Sequence, residues 1–114
     1  MSLTSPLPEQ VVELVAQRFR VLSEPARIRL LDALRAGPAS VGQLGERLGL
    51  SQQNASKHLG VLADADLVER TRAGTSALYS ISDPTVFTLC EVVCDSLRDR
   101  LAALQAVLPP PPSR

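Results

Sequence analysis

The stretch from Ser40 to Ser51 constrains the fold most, because it encodes a short helix, a tight turn and the start of a second helix. Gln43 follows Ser40 at the spacing of a capping box, in which each side chain bonds the other residue's backbone N–H. Gly49 then ends the short helix, and Ser51 offers the N-cap of the next one. The intervening apolar positions share one helix face: Val41, Leu44 and Leu48. This arrangement predicts a helix-turn-helix.

Further helical patterns flank this motif. Residues 8–22 repeat apolar side chains at helical spacing and predict a first amphipathic helix. A second helix begins at Ser23-Glu24-Pro25 and stops at Ala36-Gly37-Pro38, because proline is favoured in the first turn of a helix and breaks a helix interior. Asp83-Pro84 repeats that start signal, and an apolar stripe then extends toward Val107. This fifth helix is predicted to be the longest.

The fourth helix and the segments after it complete the pattern. From Ser51 to Leu62 one face is apolar, and the opposite face carries small or hydrogen-bonding groups instead of the usual Glu and Lys. Residues 67–72 and 77–82 have the composition of short strands and are joined by residues 73–76, which predicts a β-hairpin. Four helices, a hairpin and a last helix together predict a mainly α, winged helix-turn-helix fold.

The bulk composition restricts the class of protein. With 114 residues, the chain is expected to form one main domain over residues 8–107, between a flexible segment (1–7) and a disordered Pro-rich tail (108–114). Twelve basic and twelve acidic residues cancel, so a DNA-binding surface must arise from local charge. The apolar runs are far shorter than the roughly 20 residues that span a bilayer, and the N-terminus lacks a secretory signal. We therefore expect a cytoplasmic protein without a membrane partner.

Several motifs occur in combination between Leu22 and Ile81. They are S-E-P-A-R-I-R-L-L from Ser23, S-K-H-L-x-V-L from Ser56, the triplet Asp66-Leu67-Val68, and R-x-G-x-x-x-x-Y-S-I from Arg72. Together they resemble the arsenic-repressor (ArsR/SmtB-type) family of bacterial metal- and redox-responsive regulators. The resemblance implies a repressor that binds double-stranded operator DNA as a homodimer. It also implies that the first and last helices form the dimer interface, and that an effector releases the operator.

The chemistry of the fourth helix agrees with this resemblance. Glutamine can form bidentate bonds with adenine, and short polar side chains can approach base edges closely. Hydroxyl and cationic groups hold phosphates without reading sequence, and a basic hairpin can reach the backbone or the minor groove. The candidate DNA-binding residues are Gln52, Gln53 and Ser56 for bases, Ser51, Lys57 and His58 for phosphates, and Arg70 and Arg72 on the wing. The competing interpretation is an ordinary solvated helix face.

This chain lacks ligand residues of the effector sites that are known in the ArsR/SmtB-type family. Val41–Gly45 stands where that family has a C-V-C-type thiol motif. The positions of the family's zinc and nickel site lack both of its histidines: Asp83, Thr85, Ser96 and Asp99. No cofactor is therefore expected to be required.

Two cysteines on the fifth helix are the remaining candidates for an effector site. Cys90 and Cys94, at positions i and i+4, could bind a soft ion such as arsenite, Cd²⁺, Hg²⁺ or Cu⁺. A third ligand would come from Asp95 or from the partner subunit. Cysteine is also a common buried hydrophobe, so a role in core packing is the alternative.

Catalysis is not expected, because the sequence shows no Gly-rich phosphate loop, no Ser/His/Asp or Cys/His grouping and no concentrated acid pair. The main alternative to a DNA-binding repressor is a winged-helix module that binds another protein without sequence-specific DNA binding. A third possibility is a DNA-binding regulator controlled by a partner protein instead of a small effector.

Overall fold

The computed structural model describes residues 5–101 and 109–110. The helices are α1 (Glu9–Leu22), α2 (Pro25–Leu34), α3 (Val41–Leu48), α4 (Gln52–Asp64) and α5 (Thr85–Arg100), and the strands are β1 (Ala39–Ser40), β2 (Val68–Ala73) and β3 (Ser76–Ile81). Within these described ranges, no helix combines the length and apolar character needed to cross a bilayer. The chain divides into two compact units between Ser82 and Asp83. The winged helix-turn-helix prediction is confirmed, with one additional strand.

The sheet is antiparallel and has the order β1-β3-β2. The hairpin closes on the pair Ala73 and Ser76, so its loop contains two residues and not the four predicted. Gly74 makes this possible because its φ of +65° is readily adopted only by glycine. Strand β1 was not predicted, since two residues are too few to show an alternating pattern; Ala39 pairs with Tyr79.

The core of the first unit is built from the apolar faces of its helices and the base of its sheet. Fully or almost fully buried side chains come from α1, α2, α3, α4, β1, both hairpin strands and the turn between α4 and β2: Val21, Leu30, Leu31, Leu34, Ala39, Leu44, Ala55, Leu59, Leu62, Leu67, Val68 and Tyr79. Helix α4 contacts α2, α3 and β2, so it lies at the centre of this packing. The core thereby fixes which face of α4 points outward.

The turn between α3 and α4 forms as the sequence predicts. The Ser40 hydroxyl accepts from the Gln43 backbone N–H at 3.2 Å, and the Gln43 side chain accepts from the Ser40 N–H at 2.9 Å, which completes the capping box. Gly49 has a φ of +68°, which ends α3 in the left-handed conformation. A Cβ on Gly45 would lie 2.8 Å from the Leu50 carbonyl oxygen, so the chain can fold back this closely only with glycine there.

The C-terminus of α4 is closed by a Schellman motif. The Leu67 N–H donates to the Leu62 carbonyl at 3.0 Å, and the Asp66 N–H donates to the Ala63 carbonyl at 3.0 Å. Asp66 occupies the left-handed position, with a φ of +61°, although glycine is usual there. The Arg18 guanidinium of α1 donates to the Ala65 carbonyl at 3.2 Å, which ties α1 to this helix end.

The second unit contains α5. The Asp83 carboxylate accepts from the Thr85 N–H at 3.1 Å, and Pro84 occupies the N-cap directly before Thr85, the first residue of the helix. Val86 is the buried residue of α5, whereas Val92, Val93, Leu97 and Leu101 are exposed. The predicted extension toward Val107 and most of the predicted tail lie outside the described residues. Pro109 and Pro110 are exposed without helix or strand.

Candidate nucleic-acid interface

Helix α4 separates its residues sharply between two faces. Ala55, Leu59 and Leu62 are each 0% exposed, which accounts for the apolar spacing along the helix. The first two turns carry an exposed polar set on the other side: Gln52, Gln53, Ser56 and Lys57. Because the apolar side is buried in the core, the polar side is the part of α4 that is open to a binding partner.

The exposed polar set lines one open groove. Its volume is about 590 Å³, and the residues around it are Val41, Gln52, Gln53, Ser56 and Lys57. The fold therefore brings together all three candidate base-reading residues and one candidate phosphate contact. Gln and Ser side chains supply both donors and acceptors, as the edges of base pairs require.

The other candidate phosphate contacts of α4 are placed differently from Lys57. The Ser51 hydroxyl oxygen accepts from the Asn54 N–H at 3.1 Å, so Ser51 is the N-cap; its hydroxyl proton is still available to a phosphate. His58 is half-buried, and its Nδ1 is enclosed without a hydrogen-bond partner among the described residues. A phosphate contact by His58 would therefore have to use Nε2.

The wing carries two exposed arginines on one face. Arg70 pairs with Tyr79 and Arg72 pairs with Ala77, so both project from the same side of the hairpin, as residues two apart in a strand do. Tyr79 is buried, which places Arg70 near the base of the hairpin and Arg72 nearer its Gly74 tip. Across residues 5–101 and 109–110, no carboxylate forms an ion pair with Lys57, Arg70 or Arg72. Among the described residues, these three positive charges are therefore open to a negatively charged partner, although the formal charge of the chain is zero.

The candidate thiols lie in the second unit. Cys90 and Cys94 are half-buried on one side of α5. Asp95 forms an ion pair with Arg98 at 2.7 Å. No three His, Cys, Asp or Glu side chains in the described part of the chain gather closely enough to hold a metal ion, so Asp95 does not complete a site with the two thiols.

The sequence pattern did not predict that Val41 lines the groove. Val41 was predicted to lie on the apolar face of α3; it is half-buried, and it also lines the groove. Its position as the first residue after the Ser40 cap is the only sequence signal for this placement, because a helix start has no preceding turn to cover its side chains.

Comparisons with known proteins agree with this geometry. A family model described as "Helix-turn-helix domain" matches residues 22–71. The uncharacterized HTH-type transcriptional regulator Rv0081 of Mycobacterium tuberculosis is 38% identical over 102 residues, covering 85% of this chain and 90% of that protein. A probable mercury resistance operon repressor of Streptomyces lividans is 33% identical over 101 residues, covering 89% of this chain and 81% of the relative.

Solved structures show the same likeness. The crystal structure of M. tuberculosis Rv0081 aligns with a TM-score of 0.74 and 37% identity, covering 84% of this chain and 97% of that one. The solution structure of a homodimeric winged helix-turn-helix DNA-binding domain from Mycobacterium bovis, "a possible ArsR-family transcriptional regulator", aligns with a TM-score of 0.70 and 30% identity; it covers 83% of this chain and 91% of that one. With the exposed polar face of α4 and the basic wing, these matches show that the chain belongs to the ArsR/SmtB family of winged helix-turn-helix proteins and is a sequence-specific DNA-binding transcriptional regulator.

Proposed function

We propose that this regulator is a cytoplasmic repressor that binds operator DNA as a homodimer, with α4 in the major groove. The observation that carries the proposal is the open groove, where Gln52, Gln53, Ser56 and Lys57 meet on the outward face of a helix whose other face is fully buried. Gln52, Gln53 and Ser56 read base edges, because their amide and hydroxyl groups match the donors and acceptors displayed there. Ser51, Lys57 and His58 contact phosphates, while Arg70 and Arg72 hold the backbone or the minor groove.

Exposed apolar surface supports the homodimer. Helix α1 exposes Val12, Val15 and Phe19, which recur at helical spacing, and Phe19 is 55% exposed. Helix α5 exposes Val93 and Leu97, and Leu101, which follows its last residue, is exposed as well. Exposed apolar residues repeated along one helix face are typical of interaction sites, and a structural neighbour of this chain is a homodimer. We therefore place the contacts with a second copy on these two helices.

Binding to duplexes selected from a random-sequence library tests the DNA site. The double change Gln52→Ala, Gln53→Ala is expected to narrow the affinity gap between the selected duplex and a scrambled one, since each bidentate contact discriminates by about 1–3 kcal/mol. Arg72→Ala is expected to weaken both duplexes equally and to reduce the salt dependence. Gln17→Ala and Arg29→Ala, exposed residues that do not line the groove, are the matched controls.

The outcomes separate the competing functions. If no salt-sensitive, sequence-preferring complex forms, the proposal fails and a protein-binding winged helix takes its place. If the groove variants and the controls bind alike, the protein binds DNA through another surface.

We further propose that the repressor is released by a soft metal ion or metalloid held by Cys90 and Cys94. Thiols one helical turn apart can reach a single soft ion, and a relative of this chain is a probable mercury resistance operon repressor. Because Asp95 is paired with Arg98, a third ligand would come from the partner subunit.

Adding Hg²⁺, Cd²⁺ or Zn²⁺ to the reduced protein–DNA complex tests the thiol site. Release by Hg²⁺ or Cd²⁺ that is lost in the double variant Cys90→Ser, Cys94→Ser is the expected result. Equal release from the variant and the unchanged protein would contradict the thiol site. A complex that no metal releases would favour control by a partner protein.

A further inference from the structure

The groove at the start of α4 contains one aliphatic side chain that the proposed contacts do not use. Val41 is the first residue of α3 and is half-buried, whereas the other four lining residues are polar or charged. A branched apolar side chain cannot form hydrogen bonds, so this part of the groove favours an apolar group of a ligand, whereas its surroundings favour polar groups.

Val41 is neither part of the α3 cap nor one of the fully buried residues of that helix. The helix is capped by Ser40 and Gln43, and its contribution to the core comes from Leu44, which is 0% exposed. Gly45 makes the close approach to the following turn. Val41 takes part in neither the cap nor that approach, and its exposed part lines the groove.

Only one of the four bases offers an apolar group in the major groove. Thymine displays its 5-methyl group there, next to the adenine edge with which glutamine can form two hydrogen bonds. Val41 lines the same groove as Gln52 and Gln53, so an apolar contact and a bidentate amide are available within one site. Together these groups match the chemistry of A·T pairs better than that of G·C pairs.

We infer that Val41 is a specificity-determining residue that packs against the 5-methyl group of an operator thymine, beside an adenine bound by Gln52 or Gln53. The inference rests on the proposed function and deepens it, because it names the base pairs that the groove selects. Each half-site therefore contains at least one thymine whose methyl group, as distinct from its hydrogen-bonding edge, contributes to affinity.

Replacing thymine by deoxyuridine isolates this contact, because it removes the methyl group and keeps the base-pairing edge. The experiment uses the full chain and a duplex that the protein selects from a random-sequence library, with each thymine of one half-site replaced in turn. At the contacted position, the dissociation constant is expected to rise about four-fold, as for the loss of one buried methyl group. The Val41→Ala variant is expected to bind the thymine duplex and the deoxyuridine duplex with equal affinity.

Two further variants separate specificity from folding. Val41→Thr keeps the branched shape and is expected to retain part of the methyl effect, while helical circular dichroism checks that each variant is folded. Val61→Ala makes the same chemical change on α4 at a residue that does not line the groove, and it is expected to leave the four-fold effect intact.

The possible failures are distinguishable. If the protein selects a duplex but Val41→Ala changes the effect of removing a methyl group at none of its thymines, this inference is overturned. The DNA-binding proposal would still stand. A protein that selects no preferred duplex would overturn the proposed function, and the inference with it.

Discussion

Helices α4 and α5 use their apolar residues in opposite ways. Helix α4 has 13 residues and buries Ala55, Leu59 and Leu62 completely, while the groove side is polar. Helix α5 is longer, with 16 residues, but its buried residue is Val86, and Val93 and Leu97 are 47% and 39% exposed. The apolar face of α4 is buried within its own unit, whereas much of the apolar face of α5 is exposed.

This difference shows which part of each helix is open to another molecule. For α4 the exposed surface is largely polar and includes the positively charged Lys57, which suits DNA. For α5 the surface left over is apolar, which suits a second copy of the chain. The same amphipathic pattern therefore has opposite functional meanings in the two helices.

Leu59→Ala should have the largest effect on stability, because it opens a cavity where α4 packs in the core. We expect the free energy of unfolding to fall by about 2–5 kcal/mol, measured by urea unfolding followed with circular dichroism. Leu14→Ala, the same change at a side chain on α1 that is 66% exposed, should cost about 0.5 kcal/mol or less. Equal losses from the two variants would show that α4 does not complete its apolar contacts within the unit.

Leu97→Asp tests the opposite claim for α5. An uncompensated carboxylate in an apolar interface is costly, so we expect the dimer dissociation constant to rise roughly 100-fold or more. Sedimentation equilibrium over a range of protein concentrations measures it. Ser96→Asp adds the same charge at the neighbouring exposed position and should have little effect. If both variants dimerise alike, the apolar face of α5 is not the interface.

Ser51→Ala should cost about 1 kcal/mol of stability, because the Asn54 N–H loses its hydroxyl acceptor at the start of α4. Thermal unfolding of the protein without DNA is the measurement. Ser56→Ala, at an exposed position within the same helix, removes an equal hydroxyl without removing a cap. A Ser51→Ala protein as stable as the Ser56→Ala control would argue against this cap.

Asp66→Gly should have the smallest effect and the opposite sign. Glycine adopts the left-handed conformation at this position without a steric penalty, so we expect a gain of about 0.5–1 kcal/mol. Asp64→Gly, in the last turn of α4, should instead lose stability because glycine is a poor helix former. Both values come from urea unfolding; a loss for Asp66→Gly would mean that its side chain stabilises the helix end by another contact.

Local signals in the sequence were enough to predict most of the elements. The Ser40–Gln43 capping box, the Gly49 helix end and the Ser51 cap each act over a few residues, so their chemistry can be recognised without knowing the fold. The hairpin was also predicted, but its two-residue turn was not, because that depends on Ala73 pairing with Ser76. Strand β1 was missed for a related reason: two residues become a strand only through a partner that is distant in the chain.

By itself, the sequence determined the helix-turn-helix, the wing and the polar face of α4, because amphipathic spacing and capping chemistry are local properties of the chain. Tertiary structure decided which apolar faces are covered and which side chains share a surface. It enclosed Nδ1 of His58, left the stripe on α5 exposed, and brought Val41 from the start of α3 into the groove with Gln52 and Gln53. Burial and juxtaposition depend on contacts between distant segments, and no local pattern encodes them.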